Sequence, residues 1–388
     1  MAATGIICEY NPLHLGHKKQ IDLIRAAHPD DGIVCVMSGN YVQRGSPAIL
    51  DKSLRARAAI ECGADLVLEL PITACLSSAE GFAREGVRIL NHFCDRLCFG
   101  AETADKSSLL ATASALLSPD FPPALHDGLS EGLSFPAARQ KALQAMGMEE
   151  DTLSHPNDIL ATEYCKAILS LGANIEPMPI KRRGSYHDTA IDAQNPSATA
   201  LRECIEREKP WLEYVPQGAR ACFAGALKHS LSAGEQAILY KLRSMTDAEF
   251  EALPYGSEGL WRKLMHNART LSSLEDILTA TKSKRYTRTR LDRMVMCAFL
   301  DITREDLQSP PPYARVLALN DRGRALLKAA RQTGAFPNAG ESTNHPYEVL
   351  EHRAERLYSL FAEGGVHTPY QEETRRIFYQ PAKTGEQL

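Results

Sequence analysis

The 388-residue sequence lacks the cysteine patterns that mark disulfide-rich and zinc-binding proteins. Its ten cysteines are scattered, no two of them form a C-x-x-C pair, and several lie within apolar runs such as GIVCVM. Cysteines in such runs are usually reduced, buried thiols. This distribution therefore argues against a disulfide framework and against a structural zinc site.

Long hydrophobic runs and a strong charge of one sign are missing as well. No apolar stretch approaches the roughly 20 residues of a membrane-spanning helix, and the N-terminus has no charged segment followed by a long apolar one. We therefore expect a cytoplasmic protein with no membrane partner. The formal net charge of -4 creates no overall attraction to nucleic acid, so any surface that binds nucleic acid must be local.

The first two hundred residues alternate between apolar runs and segments of helical periodicity. The apolar runs are GIICEY (5–10), IVCVMS (33–38), DLVLEL (65–70), RLCFG (96–100) and NIEPMPI (174–180). Strands that are apolar throughout and separated by helices predict a parallel sheet covered on both faces. We therefore predict an α/β, Rossmann-like sheet, whose ligands bind beyond the carboxyl ends of the strands.

The pattern changes after Ile205, where strand-like runs become scarce and helical periods dominate, as in RTRLDRMVMCAFL. Pro210, Pro216 and Gly218 mark a boundary in the same region. A chain of this length is also long for one domain. We predict two domains, a Rossmann-like domain over residues 1–205 and a mainly α-helical domain over 206–388.

The stretch GIICEYNPLHLGHKKQ carries two histidines, His14 and His17, directly after the first predicted strand. Free backbone N–H groups and the helix dipole favour an anion at such a strand-to-helix turn, and Gly16 lets the backbone approach it closely. Two imidazoles three residues apart suit a polyphosphate and can neutralise charge developing at its α-phosphorus. A metal site is a weaker alternative, because no third ligand follows nearby. The alternative without any ligand is a capped loop whose histidines are exposed.

A second stretch, NPSATALRECI (195–205), places Ser197 or Thr199 at a helix start and Arg202 one turn further on. Hydroxyls, free N–H groups and a guanidinium together suit the β- and γ-phosphates of a nucleotide. The alternative is an ordinary helix N-cap, which serine and threonine often provide.

H-x-G-H after the first strand, with a late Ser/Thr-x-x-Arg at a helix start, resembles the nucleotidyltransferase superfamily. Longer strings resemble one family within it, the tRNA(Met) cytidine acetate ligases. These strings cover nearly the whole chain: EYNPLHLGH (9–17), MSGNYVQRGSPAILDK (37–52), GADLVLELP (63–71), SSAEGFAREGV (77–87), LCFGAE (97–102), PNDILATEYCKAI (156–168), IKRRGSYHD (180–188), SATALR (197–202), SKRYTRTRLDR (283–293) and RVLALNDRG (315–323).

The resemblance implies a two-step ligase. ATP and acetate form acetyl-adenylate and release pyrophosphate, and the acetyl group then passes to N4 of the wobble cytidine of elongator tRNA(Met). The product is N4-acetylcytidine, made without acetyl-CoA. We expect Mg²⁺ to arrive with ATP, because phosphates held by imidazole and guanidinium alone stay under-neutralised, and we expect no metal held by the protein itself.

The resemblance also implies a set of site residues. The catalytic residues are His14, His17 and Arg202. The residues implied in ATP binding are Ile7, Cys8, Glu9, Tyr10, Asn11, Pro12, Leu13, His14, Leu15, Gly16, His17, Lys18, Lys19, Gln20, Gly100, Asn157, Arg182 or Arg183, Ser197 and Thr199.

The loop NYVQRGSPAILDK concentrates polar groups in one connection, and we interpret it as a loop that closes over acetate or receives a flipped base. Its candidate residues are Asn40, Gln43, Arg44, Ser46, Asp51 and Lys52. The alternative is structural: Asp51 only caps the following helix and Arg44 is solvated.

The segment KRYTRTR concentrates positive charge and contains an aromatic residue. We predict that it binds tRNA through Lys284, Arg285, Tyr286, Arg288 and Arg290. It has no carboxylate before Asp292, so we expect little pairing along it. The alternative is a solvated helix face.

Two other functions remain open at this stage. One is an adenylyltransferase that makes a dinucleotide-type cofactor, which needs the same phosphate site but no basic helical segment. The other is a non-catalytic RNA-binding protein on a nucleotidyltransferase fold, which does not require His14, His17 and Arg202.

Overall fold

The computed structural model describes residues 1–148, 153, 155–181, 196–283, 286–365 and 367–381. Its strands are β1 (Ala3–Cys8), β2 (Gly32–Ser38), β3 (Tyr41–Val42), β4 (Ser46–Pro47), β5 (Leu66–Leu70), β6 (Arg96–Ala101), β7 (Glu176–Lys181), β8 (Val316–Asn320) and β9 (Phe378–Gln380). Its helices are α1 (Leu15–Ala27), α2 (Lys52–Glu61), α3 (Ile72–Cys75), α4 (Ala79–Leu90), α5 (Lys106–Leu117), α6 (Phe121–Ser130), α7 (Phe135–Ala145), α8 (Pro156–Leu171), α9 (Ala198–Glu206), α10 (Gln217–Phe223), α11 (Glu235–Ser244), α12 (Asp247–Ala252), α13 (Leu260–Thr270), α14 (Leu274–Thr281), α15 (Arg288–Leu300), α16 (Arg304–Gln308), α17 (Asp321–Ala330) and α18 (Tyr347–Tyr358).

A seven-stranded sheet with the order β7-β6-β1-β2-β5-β8-β9 forms the centre of the fold. The five strands from β7 to β5 pair in parallel and coincide with the five apolar runs of the sequence, which confirms the predicted Rossmann-like sheet. The chain order of these strands reverses direction between β1 and β6. In open α/β sheets a ligand crevice lies at this switch point, beyond the carboxyl ends of the strands.

The central strands are buried on both faces, which explains why their sequences do not alternate with polar residues. On one face Val34 and Val36 of β2 pack in a core with residues of α4 and α8. On the other face Cys35 and Met37 pack with residues of α1 and α2. Of the ten cysteines nine are buried and all ten are free, as predicted for reduced thiols.

The second part of the chain is mainly helical, as predicted, but it also contributes to the sheet. Strand β8 pairs antiparallel with β5, and β9 pairs parallel with β8. The sequence pattern did not reveal β8 because its four apolar residues, Val316–Leu319, resemble a short buried helix as much as a strand. The sheet thus draws on both sides of residue 205, and the division into two domains there stays a prediction.

A buried group of charges fixes the C-terminal part of the chain to the sheet. The Nζ atom of Lys52, at the start of α2, lies 2.8 Å from carboxylate oxygens of Glu69, Glu355 and Glu372. Arg375 contacts both Glu355 and Glu372. We call these five residues the ion cluster. Because buried charges are costly unless paired, the cluster strongly favours one placement of residues 355–375.

One carboxyl group of the ion cluster, that of Glu69, has a raised pKa that lies near neutral pH. Burial raises the pKa of Glu69 from 4.5 to about 7, Lys52 opposes this shift, and the carboxylates of Glu372 and Glu355 add to it. Since the pKa is higher in the folded protein, the contribution of Glu69 to stability is fully present below about pH 4.5. That contribution is lost as the pH rises through about 7.

We therefore predict that Glu69→Gln, which cannot ionise, gains stability relative to the parent protein between pH 5 and 8. The expected gain is roughly 2 to 3 kcal/mol, because each unit of pKa shift corresponds to about 1.4 kcal/mol. Urea unfolding of both proteins at several pH values measures it. Glu251→Gln, on the exposed side of α12, is the matched control and should show no such trend; a parallel pH dependence of Glu69→Gln and parent would contradict the assignment.

Candidate active site

A cavity of about 940 Å³ lies at the switch point of the sheet, beyond the carboxyl ends of β1, β6 and β7. Its walls come from the β1–α1 connection, the first turns of α4, α8 and α9, and the turn between β3 and β4. A volume of this size suits a nucleotide-sized ligand. Most of the predicted ATP-binding segment lines it: Ile7, Cys8, Glu9, Tyr10, Asn11, His14, Gly16, His17, Lys19 and Gln20.

The two histidines form a reciprocal cap at the start of α1. The Nδ1 atom of His14 accepts a hydrogen bond from the backbone N–H of Gly16 at 3.1 Å. The Nδ1 atom of His17 accepts one from the backbone N–H of His14 at 3.3 Å. A side chain at Gly16 would come within 2.9 Å of the His14 ring. The glycine of H-x-G-H is therefore required by the cap itself.

This cap determines what the imidazoles can do. With Nδ1 accepting a backbone N–H, the proton of a neutral ring sits on Nε2, so Nε2 is the donor nitrogen of each histidine. The rings of His14 and His17 stack with centroids 3.8 Å apart, and the Tyr10 ring meets His17 edge-on at 5.0 Å. Two stacked, fixed N–H donors at a helix start suit the oxygens of a phosphate chain.

The loop that carries the histidines rests on one buried guanidinium, that of Arg55. Its Nε donates to the carbonyl of Leu50 at 2.8 Å. Its Nη1 donates to the carbonyls of Glu9 at 2.6 Å and Ser38 at 3.0 Å, and Nη2 donates to that of Gly39. Arg55 thus joins the end of β1, the end of β2 and the chain that leads into α2.

Arg202 of α9 supports the same loop from the other side. Its Nη1 donates to the carbonyl of Asn11 at 2.8 Å, and its Nη2 donates to Oγ1 of Thr199 at 3.1 Å. Oγ of Ser197 caps α9 by accepting from the N–H of Ala200. The neighbours Pro196 and Ala198 line the cavity, whereas these three predicted phosphate ligands are not among its lining residues. Their direct contact with phosphate stays a prediction.

Two further predicted positions also line the cavity, Gly100 at the end of β6 and Asn157 at the start of α8. Nδ2 of Asn157 donates to the carboxylate of Glu102, which fixes the orientation of its amide. The predicted candidates Arg182 and Arg183 lie outside the described residues.

A family model described as HIGH Nucleotidyl Transferase matches residues 1–373. A tRNA(Met) cytidine acetate ligase of Clostridium acetobutylicum is 36% identical over 386 residues, which cover 93% of this chain and 96% of that protein. One of Thermosipho melanesiensis is 36% identical, covering 89% and 85%. The chain belongs to the tRNA(Met) cytidine acetate ligase family.

Solved structures place the same family on this fold. The crystal structure of apo TmcAL of Thermotoga maritima superposes with a TM-score of 0.90 at 30% identity, covering 98% of this chain and 100% of that one. TmcAL bound with alpha-thio ATP superposes with a TM-score of 0.87 at 29% identity, with the same coverage.

Within this ligase fold, the predicted substrate loop separates into two parts. Gln43 and Arg44, on the turn between β3 and β4, line the cavity. Asn40, Asp51 and Lys52 do not line it. Lys52 belongs to the ion cluster, and Oδ1 of Asn40 accepts the backbone N–H of Lys52 at 2.7 Å.

Asp51 has the structural role that we gave as the alternative to substrate binding, because it caps the following helix. Its side chain caps α2 by accepting the backbone N–H of Ser53 at 2.8 Å, and it pairs with Arg375 at 2.8 Å. Burial opposes ionisation, but Arg375 and the cap hold the pKa of Asp51 well below its usual range. Ser46, in β4, is also absent from the cavity wall.

The described part of the basic segment, residues 286–290, leads into the first turn of α15, close to the same cavity. Thr289 of α15 lines the cavity, and the backbone of Arg293 packs against Gly45 in the β3–β4 turn. The turn that carries Gln43 and Arg44 therefore contacts α15 and lines the cavity together with it. This contact joins the predicted tRNA-binding segment to the site.

The expectation of little pairing along this segment is wrong. Arg288 pairs with Glu275 of α14 at 2.7 Å and with Asp292 at 2.8 Å. Arg290 donates to the carbonyl of Tyr255 at 2.8 Å, and Tyr286 donates to Glu258. Most of these partners lie on other elements and cannot be seen in linear spacing. Lys284 and Arg285 lie outside the described residues.

The sequence patterns did not reveal the apolar wall of the cavity. Phe82, Phe99, Leu160 and Tyr164 line it, and each also follows the helical or strand pattern of a core residue, so no local signal separates the two roles. Such a surface suits the flat face of a base.

The described residues contain no group of three or more His, Cys, Asp or Glu side chains placed to hold a metal ion. None of the helices among them has the length and apolar character of a membrane-spanning segment.

We predict that Arg55→Ala lowers the free energy of unfolding by about 3 to 5 kcal/mol, because several carbonyls lose a charged donor in a buried site. Thermal or urea unfolding measures the change. Arg57→Ala on the same helix, where the side chain is half exposed and its pair with Glu61 spans 3.9 Å, is the matched control. It should cost less than about 1 kcal/mol; equal effects would contradict the role given to Arg55.

Proposed function

We propose that the protein is an ATP-dependent ligase that acetylates N4 of the wobble cytidine of elongator tRNA(Met) with free acetate. The proposal rests on one observation above all: six residues of the family segment EYNPLHLGH line a nucleotide-sized cavity at the switch point of the sheet, namely Glu9, Tyr10, Asn11, His14, Gly16 and His17. The name of the relatives supplies the substrate, and the alpha-thio ATP bound to the Thermotoga maritima protein supplies the nucleotide. The protein acts in the cytoplasm on this proposal, where tRNA is available.

In the first step an acetate oxygen attacks the α-phosphorus of ATP, and pyrophosphate leaves. The Nε2 donors of His14 and His17 stabilise negative charge on the phosphate oxygens during this attack. Arg202 contributes by fixing the carbonyl of Asn11 and hence the loop, and the exposed Lys19 lies on the same wall. The charge that these side chains leave on the phosphates would be neutralised by Mg²⁺ bound to ATP itself.

In the second step N4 of the cytidine attacks the acetyl carbon, and AMP leaves. The cytidine must be extruded from the anticodon loop to reach a cavity at the end of the sheet. The first turn of α15 borders this cavity through Thr289, so a tRNA held along α15 would present its loop to the site. The proposal requires no acetyl-CoA.

One assay separates this proposal from its alternatives. Pyrophosphate release is measured from ATP with and without acetate, and N4-acetylcytidine is measured in tRNA by mass spectrometry, without acetyl-CoA. A ligase requires acetate for the first signal and tRNA for the second. A cofactor-forming adenylyltransferase would not respond to acetate, and a non-catalytic RNA-binding protein would release no pyrophosphate.

We predict that His17→Ala slows acetate-dependent pyrophosphate release about a hundredfold while changing ATP affinity far less. Loss of one preorganised donor to a developing charge typically costs about 3 kcal/mol in the transition state. His28→Ala, at the other end of α1, is the control and should keep the parent rate. An unchanged rate in folded His17→Ala would remove the catalytic role of His17.

We further predict that replacing Arg285, Arg288 and Arg290 by alanine weakens tRNA binding and reduces its dependence on salt, because fewer phosphate contacts release fewer counterions. Pyrophosphate release without tRNA should fall much less. Binding is measured by filter retention at several salt concentrations, with Lys328→Ala on the exposed face of α17 as the control. If pyrophosphate release and tRNA binding fall together, the segment supports the fold or the ATP site instead.

A further inference from the structure

Transfer of the acetyl group releases a proton, and that proton needs an acceptor. As N4 of cytidine bonds to the acetyl carbon and the carbon–oxygen bond to AMP breaks, N4 must lose one of its two hydrogens. A general base within reach of the amine speeds such a step. The cavity wall therefore has to supply a group that can accept a proton next to the nucleotide.

Most candidate groups on the wall are donors. His14 and His17 use Nδ1 as an acceptor for backbone N–H groups and keep the proton on Nε2, so a further proton would have to displace the helix cap. The ammonium groups of Lys19 and Lys181 have no acceptor. These four side chains suit phosphate and carry no base for the cytidine amine.

The buried thiol and phenols of the wall are also poor candidates. Burial raises the pKa of Cys8 and of Tyr10 well above their usual ranges, and burial likewise raises the pKa of Tyr164. These groups keep their protons at neutral pH. Among the described residues that line the cavity, Glu9 is the one carboxylate.

Glu9 is held as a preoriented acceptor. It follows the last residue of β1, and its carbonyl is fixed by Arg55 at 2.6 Å. One carboxylate oxygen, Oε1, accepts the backbone N–H of Gln43 at 2.9 Å. The described residues provide no hydrogen-bond donor to the second oxygen, Oε2, although the side chain is only partly exposed on the cavity wall.

The position of Glu9 lies between the two halves of the proposed reaction. On one side Glu9 is two residues from Asn11, in the turn that leads to His14. Its negative charge opposes the lowering of the pKa of Arg202 by burial. On the other side its partner Gln43 belongs to the β3–β4 turn, and the carbonyl of Gln43 accepts a hydrogen bond from Arg293 of α15 at 3.4 Å. Glu9 is therefore linked through Gln43 to α15, whose Thr289 lines the same cavity.

We propose that Glu9 is the general base of the second step and accepts the N4 proton of the wobble cytidine through Oε2. The amine nitrogen bonds to the acetyl carbon, the bond from that carbon to the AMP oxygen breaks, and the proton moves from N4 to Glu9. Glu9 then returns the proton to water once AMP and the acetylated tRNA leave. This inference rests on the proposed ligase function.

The test supplies chemically synthesised acetyl-adenylate and a tRNA(Met) transcript, so that the first step is bypassed. The single-turnover rate of N4-acetylcytidine formation is compared between the parent protein and Glu9→Gln, which still offers an oxygen to the N–H of Gln43 but cannot act as a base. We expect a loss of about a hundredfold or more in transfer. Pyrophosphate release from ATP and acetate by the same variant should fall much less.

A second variant separates chemistry from folding. In Glu9→Ala, added formate should restore transfer in proportion to its concentration, because a small carboxylate can occupy the vacated space and accept the proton. Unchanged transfer in Glu9→Gln, equal losses in both steps, or no response of Glu9→Ala to formate would overturn the proposal. If the parent protein itself makes no N4-acetylcytidine from acetyl-adenylate, the ligase function fails instead, and the two failures are therefore distinguishable.

Discussion

The buried guanidinium of Arg55 is the interaction on which the site depends. Carbonyl groups at the ends of parallel strands point into the same crevice that receives a ligand, and without a donor they would repel both each other and a phosphate. Arg55 satisfies three of them, from Glu9, Ser38 and Gly39, and also the carbonyl of Leu50 ahead of α2. Its burial lowers its own pKa, but the carbonyl dipoles around it favour the charged form. One side chain thereby fixes the geometry of β1, β2 and α2.

This constraint also explains how the histidines acquire a defined function. An imidazole on a mobile loop could donate or accept a proton through either nitrogen. Here Arg55 holds the loop through the carbonyl of Glu9, and Arg202 holds it through that of Asn11. The helix cap makes Nδ1 of both rings a hydrogen-bond acceptor. The cavity wall thus separates donors from an acceptor: under the proposed function the histidines serve as donors to phosphate, and Glu9 is the one carboxylate among the described residues that line the cavity. Separate groups for each role suit a reaction with two different steps.

The features that could be predicted from sequence are those that depend on short stretches of neighbouring residues. Five apolar runs placed five parallel strands, and H-x-G-H after the first of them located the cavity, because a strand-to-helix turn at a switch point has one position in this fold. Strand β8 was missed because VLALN is too short to show a period. The partners of Asp51, Lys52 and Arg288 were missed for another reason: most of them come from distant segments, and no spacing reveals them.

The ion cluster has a consequence for how the molecule is made. Lys52 belongs to the first helix after the β3–β4 turn, but its partner Glu372 is 320 residues further along the chain. A ribosome therefore releases the five parallel strands β1, β2, β5, β6 and β7 and the histidine loop long before the carboxylates of Glu355 and Glu372 exist. Until then Glu69 is the one carboxylate of the ion cluster that can pair with Lys52, whose ammonium group is buried in the complete fold. Synthesis of nearly the whole chain thus precedes the closure of this cluster, so an incomplete chain would hold the nucleotide cavity without the anchor that completes it.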